Sequence, residues 1–248
     1  MPYGASGKST DFSGNYPKIN TKGMIMKERV IFTWSGGKDS TMALYELLKT
    51  QKYEVVSLIT TVTQGYERIS MHGVRISLLE QQAVAIGIPV DKIYISKTSS
   101  NEEYEATMKD RLTDYKAQGI KTVVFGDIFL EDLRKYREDN LAKVGMKGLF
   151  PIWKRDTTEL ANSFIGLGFK SIIACVDTKV LDKGFSGRLY DRQFLSDLPA
   201  HIDPCGENGE FHSFAYGGPL FNKEIPFTKG ECVLRDDRFF YCDLIPLP

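Results

Sequence analysis

The chain has 248 residues, and its 32 lysine and arginine residues balance 32 aspartate and glutamate residues. A formal net charge of zero argues against bulk binding to nucleic acid or to an anionic membrane, which strongly basic chains show. The length predicts one large domain or two modest ones, and 42% hydrophobic residues is ordinary for a globular protein. These values favour a compact site for a small ligand.

The cysteines and the apolar runs indicate the compartment. None of the four cysteines forms a CxxC pair, so their spacing indicates no zinc ribbon, iron–sulfur site or thioredoxin-like motif. So few cysteines favour reduced thiols over a disulfide framework. Because no apolar run has the length of a membrane span and no signal peptide is visible, we expect a cytoplasmic protein with no membrane partner.

Residues 1–24 are rich in Gly, Ser, Thr, Asn and Lys, and they nearly lack apolar side chains. This composition predicts a disordered leader or a tag.

Residues 25–150 alternate short apolar runs with helical periodicity. The runs predict five strands, at 30–34, 55–59, 92–95, 122–125 and 149–152. Apolar residues spaced by three or four predict helices around 43–48, 78–86, 104–115 and 133–144. Regular β-α alternation predicts a doubly wound α/β fold, in which helices cover both faces of a five-stranded parallel sheet.

The pattern changes after residue 150. A helix around 160–167 and a strand at 171–176 precede Gly- and Pro-rich sequence, and strand-like sequence at 233–244 comes near the end. We therefore expect residues 151–248 to form a smaller C-terminal α+β domain packed against the sheet. Its β-rich end also offers a surface for a homodimer, although nothing in the sequence requires one.

The strongest motif lies between the first strand and the first helix, and it reads Ser35-Gly36-Gly37-Lys38-Asp39-Ser40. Its glycines let the backbone approach a ligand, while loop N–H groups and the helix N-terminus face an anion. The serines add hydroxyl donors, the lysine adds a positive charge, and the aspartate caps the helix or holds Mg²⁺. A simple glycine turn explains neither the lysine nor the two serines, so the motif predicts an anion site.

SGGKDS after a first strand resembles the pyrophosphate loop of the ATP pyrophosphatases, a superfamily with an adenine nucleotide alpha hydrolase-like fold. Gly126-Asp127, at the end of the fourth strand, resembles the second phosphate and magnesium element of that superfamily. PIWKRD at 151–156, GENGEFHS at 206–213 and GPLF at 218–221 resemble the diphthine–ammonia ligase family. The first motif identifies only the superfamily, and GENGEFHS narrows the resemblance to the family. The resemblance implies the order 3-2-1-4-5 for the five parallel strands.

The resemblance also implies an activity, that of an ATP-dependent, AMP-forming carboxylate–ammonia ligase. AMP is transferred to a carboxylate oxygen, and ammonia then attacks the adenylate to give an amide. The implied cofactors are ATP and Mg²⁺, and the implied partners are ammonia and a carboxylate acceptor. That acceptor is protein-borne diphthine on elongation factor 2, or else a small metabolite or cobalamin-pathway carboxylate. Residues 25–150 then form the ATP-binding domain and 151–248 the acceptor domain.

The resemblance assigns Ser35, Gly37, Lys38 and Ser40 to the pyrophosphate end of ATP. Gly36, Asp39 and Gly126 are further expected ATP-binding residues, and the backbone around Ile59 and Thr60 is expected to contact adenine. Asp39 and Asp127 are expected to share Mg²⁺, and Lys38 and Asp127 to act in catalysis. From residue type alone, an aspartate after a glycine at a strand end is often only a turn residue.

The GENGEFHS segment supplies the candidate acceptor or ammonia site. Glu207, Glu210 and His212 are candidate catalytic residues, because such a set binds ammonium, deprotonates it or orients an acceptor. Asn208 is a candidate substrate contact. Without the resemblance, a glycine turn carrying exposed acids is the simpler interpretation.

The SMHGVR segment supplies two more candidate contacts to substrate or phosphate, His72 and Arg75. A lone histidine near a helix start usually caps the helix or faces solvent, and the arginine is equally explained as a surface charge.

Two other functional classes stay open. A tRNA-thiolating enzyme of the same superfamily would require paired cysteines and a basic RNA face, which this chain does not favour. A non-catalytic ATP-binding module would leave the acidic GENGEFHS segment without a purpose.

Overall fold

A computed structural model describes residues 26–65, 68–69 and 72–247. The predicted leader at 1–24 lies outside the described residues. In the first part of the chain the elements are β1 (Glu28–Thr33), α1 (Lys38–Lys49), β2 (Tyr53–Thr63), β3 (Arg68–Ile69), α2 (Ile76–Ile86), β4 (Val90–Ile95), α3 (Asn101–Ala117), β5 (Thr122–Val124), α4 (Glu131–Lys143) and β6 (Lys147–Leu149). In the second part they are α5 (Thr157–Gly166), β7 (Lys170–Asp177), α6 (Arg192–Asp197), β8 (Phe211–Gly217), β9 (Phe227–Arg235) and β10 (Phe239–Pro246).

The first sheet has five parallel strands in the order β4-β2-β1-β5-β6. Counted over these five strands alone, the order is 3-2-1-4-5, so the expected topology is confirmed. The added strand β3 pairs antiparallel with Val62 and Thr63, beyond the end of β1. This strand of two residues is too short to leave an apolar pattern in the sequence.

Alternating residues of β1 bury opposite faces of this sheet. Val30 and Phe32 belong to an apolar cluster that includes residues of α1 and α2, whereas Ile31 belongs to a second cluster with residues of α3 and α4. Each of these three side chains is 0% exposed. Helices therefore cover both faces, which confirms the doubly wound architecture.

Helix ends agree with the local sequence. α3 begins with a capping box, in which Ser100 accepts from the Glu103 N–H and the Glu103 carboxylate accepts from the Ser100 N–H. α2 ends at Gly87, whose φ of 78° lies in the left-handed region that glycine adopts without strain. These two helix boundaries therefore coincide with local capping residues.

The predicted fifth strand at 149–152 is displaced, because β6 covers Lys147–Leu149 and a turn follows. Phe150 and Ile152 are buried in that turn and pack into the two clusters. Their apolar character therefore reflects burial rather than strand pairing.

The second sheet is antiparallel, in the order β8-β7-β10-β9, and confirms the smaller α+β region. The larger apolar cluster continues from β1 into this sheet through Phe211 and Phe214 of β8. The division into domains at residue 150 stays a prediction. Among the helices that the described part of the chain forms, none is both long and apolar enough to cross a bilayer.

Candidate functional site

A cavity opens at the carboxyl ends of the parallel strands, where open α/β sheets bind ligands. Its volume is about 370 Å³. Lining residues come from the loop after β1, the end of β2, the turn after β5, and the segment that leads into β8. The loop with SGGKDS and the segment with GENGEFHS, 166 residues further on at their nearest, therefore meet in one site.

Close backbone contact with β8 shapes the SGGKDS loop. Gly36 has a φ of +77°, which favours glycine, and its carbonyl accepts from the Ala215 N–H at 2.8 Å. A Cβ atom on Gly36 would lie 2.7 Å from Oε1 of Gln82. A side chain at this position is therefore excluded by both the backbone conformation and the available space.

Serine hydroxyls take up part of the donor capacity of the loop. The N–H of Gly37 donates to Ser35 Oγ at 3.2 Å, and the N–H of Lys38 donates to Ser213 Oγ at 3.1 Å. These two N–H groups thus have serine acceptors within the protein, and their contact with an anion stays a prediction. Asp39 and Ser40 follow in the first turn of α1, where N–H groups have no intrahelical acceptor. The N–H groups of Asp39 and Ser40 are therefore further candidates to face an anion.

The side chain of Lys38 is nearly buried, with 3% exposed. Its Nζ donates to Asp39 Oδ2 at 2.8 Å and to the carbonyl of Cys205, and it lies 5.1 Å from the ring centroid of Phe211. Burial by itself lowers the pKa of Lys38, but the charge and hydrogen bond of Asp39, together with smaller contributions from Cys205 and Glu207, outweigh burial and raise the pKa. A protonated lysine thus lines the cavity while it pairs with its neighbour.

Gly126 and Asp127 lie in the turn after β5, and Gly126 is in close contact with the first turn of α1. A Cβ atom on Gly126 would come within 3.0 Å of the Ser40 Cα, so glycine permits the turn after β5 to approach α1. The carboxylate of Asp127 pairs with Arg137, whose Nε lies 2.6 Å from Oδ2 and whose guanidinium stacks on the Phe125 ring at 4.6 Å. The carboxylate of Asp127, in the second phosphate and magnesium element, is therefore already paired with a cation of the chain itself.

Glu207 joins the GENGEFHS segment to the turn after Asp127. Its Oε1 accepts from the N–H of Ile128 at 2.7 Å. Burial, reinforced by the negative charges of Asp39 and Asp127, raises the pKa of Glu207 to about 7. A carboxyl group with this pKa accepts and releases a proton near neutral pH, as a general base must.

His72 and His212 lie side by side, with ring centroids 4.6 Å apart. Burial lowers the pKa of His72 to about 3 and that of His212 to about 4. Both imidazoles are therefore neutral at pH 7, and each offers one donor and one acceptor nitrogen. Nδ1 of His72 is buried and has no hydrogen-bond partner among the described residues, so it is available to a ligand.

The adenine candidates lie at the end of β2. Ile59 and Thr60 both line the cavity and are nearly buried. The carbonyl of Ile59 accepts from the Trp34 N–H at 2.8 Å, and Thr60 pairs with Lys92 of β4. β1 pairs with β2 only as far as Ile59, so the backbone beyond it borders the cavity.

Five candidates do not line the cavity, namely the loop glycines Gly36 and Gly37 together with Glu210, Asn208 and Arg75. Glu210 is buried, and its Oε1 accepts from the N–H of Asp203 at 3.2 Å and from Nδ2 of Asn208 at 3.0 Å. Asn208 is exposed. Arg75 pairs with Asp243 of β10 at 2.6 Å. The contacts of Glu210 and Asn208 stabilise the turn of the GENGEFHS segment. The ion pair of Arg75 joins the start of α2 to the second sheet.

Sequence reasoning missed several lining residues. Arg137 shares a face of α4 with Leu133 and Leu141, a spacing of four that sets it toward the sheet. Tyr104 and Met108 of α3 also line the cavity, although their spacing indicated only a core-facing stripe. A charged residue inside an apolar stripe was the available signal for Arg137.

Among the described residues, no group of three or more His, Cys, Asp or Glu side chains is arranged to hold a metal ion. The carboxylates of Asp39 and Asp127 nevertheless lie close enough to Glu207 to raise its pKa. Carboxylate oxygens are the donors that Mg²⁺ prefers, and the clustered negative charge is of the sign that a cation relieves. The donor chemistry therefore fits Mg²⁺ when phosphate oxygens supply further ligands.

Comparison with known proteins covers most of the chain. Residues 28–148 match the family model of the diphthamide synthase N-terminal domain, and residues 156–243 match that of the diphthamide synthase C-terminal domain. A diphthine–ammonia ligase of Danio rerio is 26% identical over 236 residues, which cover 86% of this chain and 91% of the relative. One of Homo sapiens is 22% identical over 230 residues, covering 84% of this chain and 85% of the relative.

A third relative is longer. The diphthine–ammonia ligase of Schizosaccharomyces pombe is 27% identical over 225 residues, which cover 83% of this chain but only 37% of the relative. The chain thus spans little more than a third of the S. pombe protein, and nearly all of the Danio rerio protein.

Proposed function

The chain belongs to the diphthamide synthase family, and from this premise we propose that it is an ATP-dependent carboxylate–ammonia ligase that releases AMP and pyrophosphate. The observation that carries the proposal is the junction of two motifs in one cavity. The Lys38 N–H of the loop donates to Ser213 of the GENGEFHS segment, and Glu207 of that segment lies beside Asp39 and Asp127.

ATP is held by the SGGKDS loop, with its adenine toward the end of β2. The first turn of α1 offers N–H groups and a positive dipole end to the phosphates, and the Ser35 and Ser40 hydroxyls, 3.1 Å apart, lie beside them. Lys38 adds positive charge as the α–β phosphate bond breaks. The loop's contribution is positioning and charge stabilisation, which suit the transfer of AMP to a carboxylate oxygen.

The acceptor and ammonia meet on the GENGEFHS side. Ionised Glu207 takes a proton from ammonium or from the attacking nitrogen, and the amide forms as AMP leaves with the bonding electron pair. The neutral imidazoles of His72 and His212 orient the acceptor by hydrogen bonds without adding charge. Glu210 and Asn208 act by holding the turn that carries Glu207.

We include Mg²⁺ in the proposal, with Asp39 and Asp127 as its protein ligands. The ion neutralises negative charge on the phosphates when it is bound. Both carboxylates pair with cations of the chain itself, Lys38 and Arg137, so a bound Mg²⁺ would compete with these pairs.

The acceptor we propose is protein-borne diphthine, since the relatives carry diphthine in their names. We propose ammonia as the nitrogen donor and the cytoplasm as the place of action. The absence of bulk nucleic-acid binding and the homodimer stay predictions.

The test is product analysis with ATP, Mg²⁺, ammonium and elongation factor 2 that carries diphthine. We expect one AMP and one pyrophosphate for each amide, with isotope from labelled ammonium in the protein product. Elongation factor 2 without diphthine is the control and should give no amide. Release of ADP and orthophosphate, or amide formation without ATP, would contradict the proposal.

A further inference from the structure

Gln82 lies inside α2, and its side chain is completely buried, with 0% exposed. Its Oε1 accepts from the Trp34 indole Nε1–H at 2.9 Å. Its Nε2 donates to two carbonyls, that of Gly36 at 2.9 Å and that of Ala215 at 2.6 Å. A carboxamide has only two N–H donors, and both are used here.

This arrangement fixes the orientation of the amide. A flipped amide would place an N–H group against the indole N–H of Trp34 and a carbonyl oxygen against two other carbonyls. Three unfavourable contacts would replace three hydrogen bonds in a buried site. The side chain of Gln82 therefore has one acceptable orientation.

The three partners belong to different parts of the site. Trp34 directly follows β1, Gly36 is the first glycine of the SGGKDS loop, and Ala215 lies in β8, two residues after Ser213. The N–H of Ala215 also donates to the Gly36 carbonyl at 2.8 Å. One buried amide thus connects α2, the loop and the strand that carries His212.

The side chain of Gln82 does not line the cavity, so it does not contact substrate there. Burying an amide is costly unless its hydrogen bonds are made, and an apolar residue of similar size would fill the same space. What an apolar residue lacks is the ability to hold the two carbonyls and the indole in a fixed relative position.

We propose that Gln82 is a positioning residue, which holds the phosphate-binding loop and the acceptor-side strand in the register that the reaction needs. The inference deepens the proposed function and rests on it for its catalytic consequence. The hydrogen bond from the Lys38 N–H to Ser213 Oγ joins the same loop to the same strand. A shift of β8 would therefore displace the SGGKDS loop relative to His212 and Ser213.

The experiment compares three variants. Gln82→Met keeps the length and removes all three hydrogen bonds. Gln82→Glu keeps the acceptor for Trp34 but, when ionised, turns a negative oxygen toward the carbonyls of Gly36 and Ala215. Gln81→Met is the matched control, since it makes the same change one residue earlier in α2, at a half-buried position.

We expect Gln82→Met to lower kcat by about tenfold to a hundredfold, the effect of a small misplacement of reacting groups, while KM for ATP changes by less than about threefold. Gln81→Met should retain the wild-type kcat. Burial raises the pKa of a glutamate, and its protonated form donates one hydrogen bond again. The kcat of Gln82→Glu, relative to wild type at each pH, should therefore rise as the pH falls from about 8 to about 6.

A folded Gln82→Met enzyme with wild-type kcat would overturn the inference, as would a Gln82→Glu enzyme whose relative kcat does not change with pH. If Gln82→Met fails to fold, the pH dependence of Gln82→Glu decides the matter alone.

Hydrogen exchange separates this inference from the proposed function. The backbone amides of Ala215 and Lys38 should exchange about tenfold faster in Gln82→Met than in the wild type, while the amides of β9 and β10 keep their exchange rates. Unchanged exchange at both amides would refute the positioning role even in an active enzyme. Faster exchange in a protein that forms no amide would instead contradict only the ligase activity.

Discussion

The Glu207 carboxylate accepts a hydrogen bond from the backbone N–H of Ile128 at 2.7 Å, which fastens the GENGEFHS segment to the turn after Asp127. The same carboxyl group has a pKa of about 7, because burial and two nearby carboxylates oppose its ionisation. One side chain therefore joins the two halves of the cavity and titrates near neutral pH.

The rate of amide formation should follow the ionisation of Glu207. A general base acts when it is ionised, so kcat should rise with pH and level off above about 7. Glu207→Gln still accepts the Ile128 hydrogen bond but cannot take a proton, so its kcat should be low and independent of this ionisation. Rates of amide formation from about pH 5.5 to about pH 8.5, with free ammonia held constant, measure both. A wild-type profile without an inflection near 7, or full activity of the variant, would exclude the base role.

The stability of the protein should fall with pH over the same region. The folded-state pKa of Glu207 is raised from 4.5 to about 7, so the folded protein binds a proton that the unfolded chain releases. Its contribution to stability is complete below pH 4.5 and is lost as the pH rises to about 7. The full loss amounts to about 3 kcal/mol.

Glu207→Gln cannot show this loss. The free energy of unfolding of Glu207→Gln minus that of the wild type, both measured with urea, should increase between pH 4.5 and about 7 and stay constant above that range. A constant difference across the whole range would show that the carboxyl group is not perturbed.

The Lys38–Asp39 pair predicts a linked loss of activity and stability. Lys38→Met leaves Asp39 and the Cys205 carbonyl without their donor, and we expect a cost of about 2 kcal/mol, reduced because the Asp39 side chain is 30% exposed. The double variant Lys38→Met/Asp39→Asn should recover most of this stability, but no AMP release. Recovery of turnover in the double variant would show that the charge of Lys38 is not needed on the phosphates.

Arg75 should prove structural rather than catalytic. Its hydrogen bond, with a further contribution from Arg68, lowers the pKa of Asp243 to about 2. Arg75→Gln should therefore cost about 1 kcal/mol of stability at pH 7 and leave KM for ATP and acceptor within about twofold. Because a lowered carboxyl pKa stabilises the fold above pH 3.8, the stability difference should shrink as the pH falls from 3.8 to about 2. A large rise in the acceptor KM would instead restore Arg75 as a substrate contact.

Much of the nucleotide half could be predicted from local sequence. The β-α alternation predicted the parallel sheet, and SGGKDS between a strand and a helix placed the loop at its carboxyl edge. Such patterns are local, because an amphipathic helix or a glycine turn is determined by residues that lie within a short stretch of the chain. The displaced fifth strand shows the limit, because burial in a turn and burial in a strand leave the same apolar residues.

The acceptor half depended on contacts between distant residues. Which acids of GENGEFHS enter the cavity was not visible in the segment, where Glu207 and Glu210 are separated by only two residues. The turn sends Glu207 toward Ile128, whereas Glu210 stays with Asp203 inside the second region. Residue type is the same in both, and only the path of the backbone distinguishes them.

The sequence by itself determined the fold class, the strand order through its family resemblance, and the segments that build the site. Only the tertiary structure decided which side chains pair, which are buried, and therefore which titrate. Lys38 with the carbonyl of Cys205, Asp127 with Arg137, and the fully buried Gln82 depend on elements that meet after folding. Hydrogen bonds and shifted pKa values arise from distance and solvent exclusion, and neither is encoded in the spacing of residues along a chain.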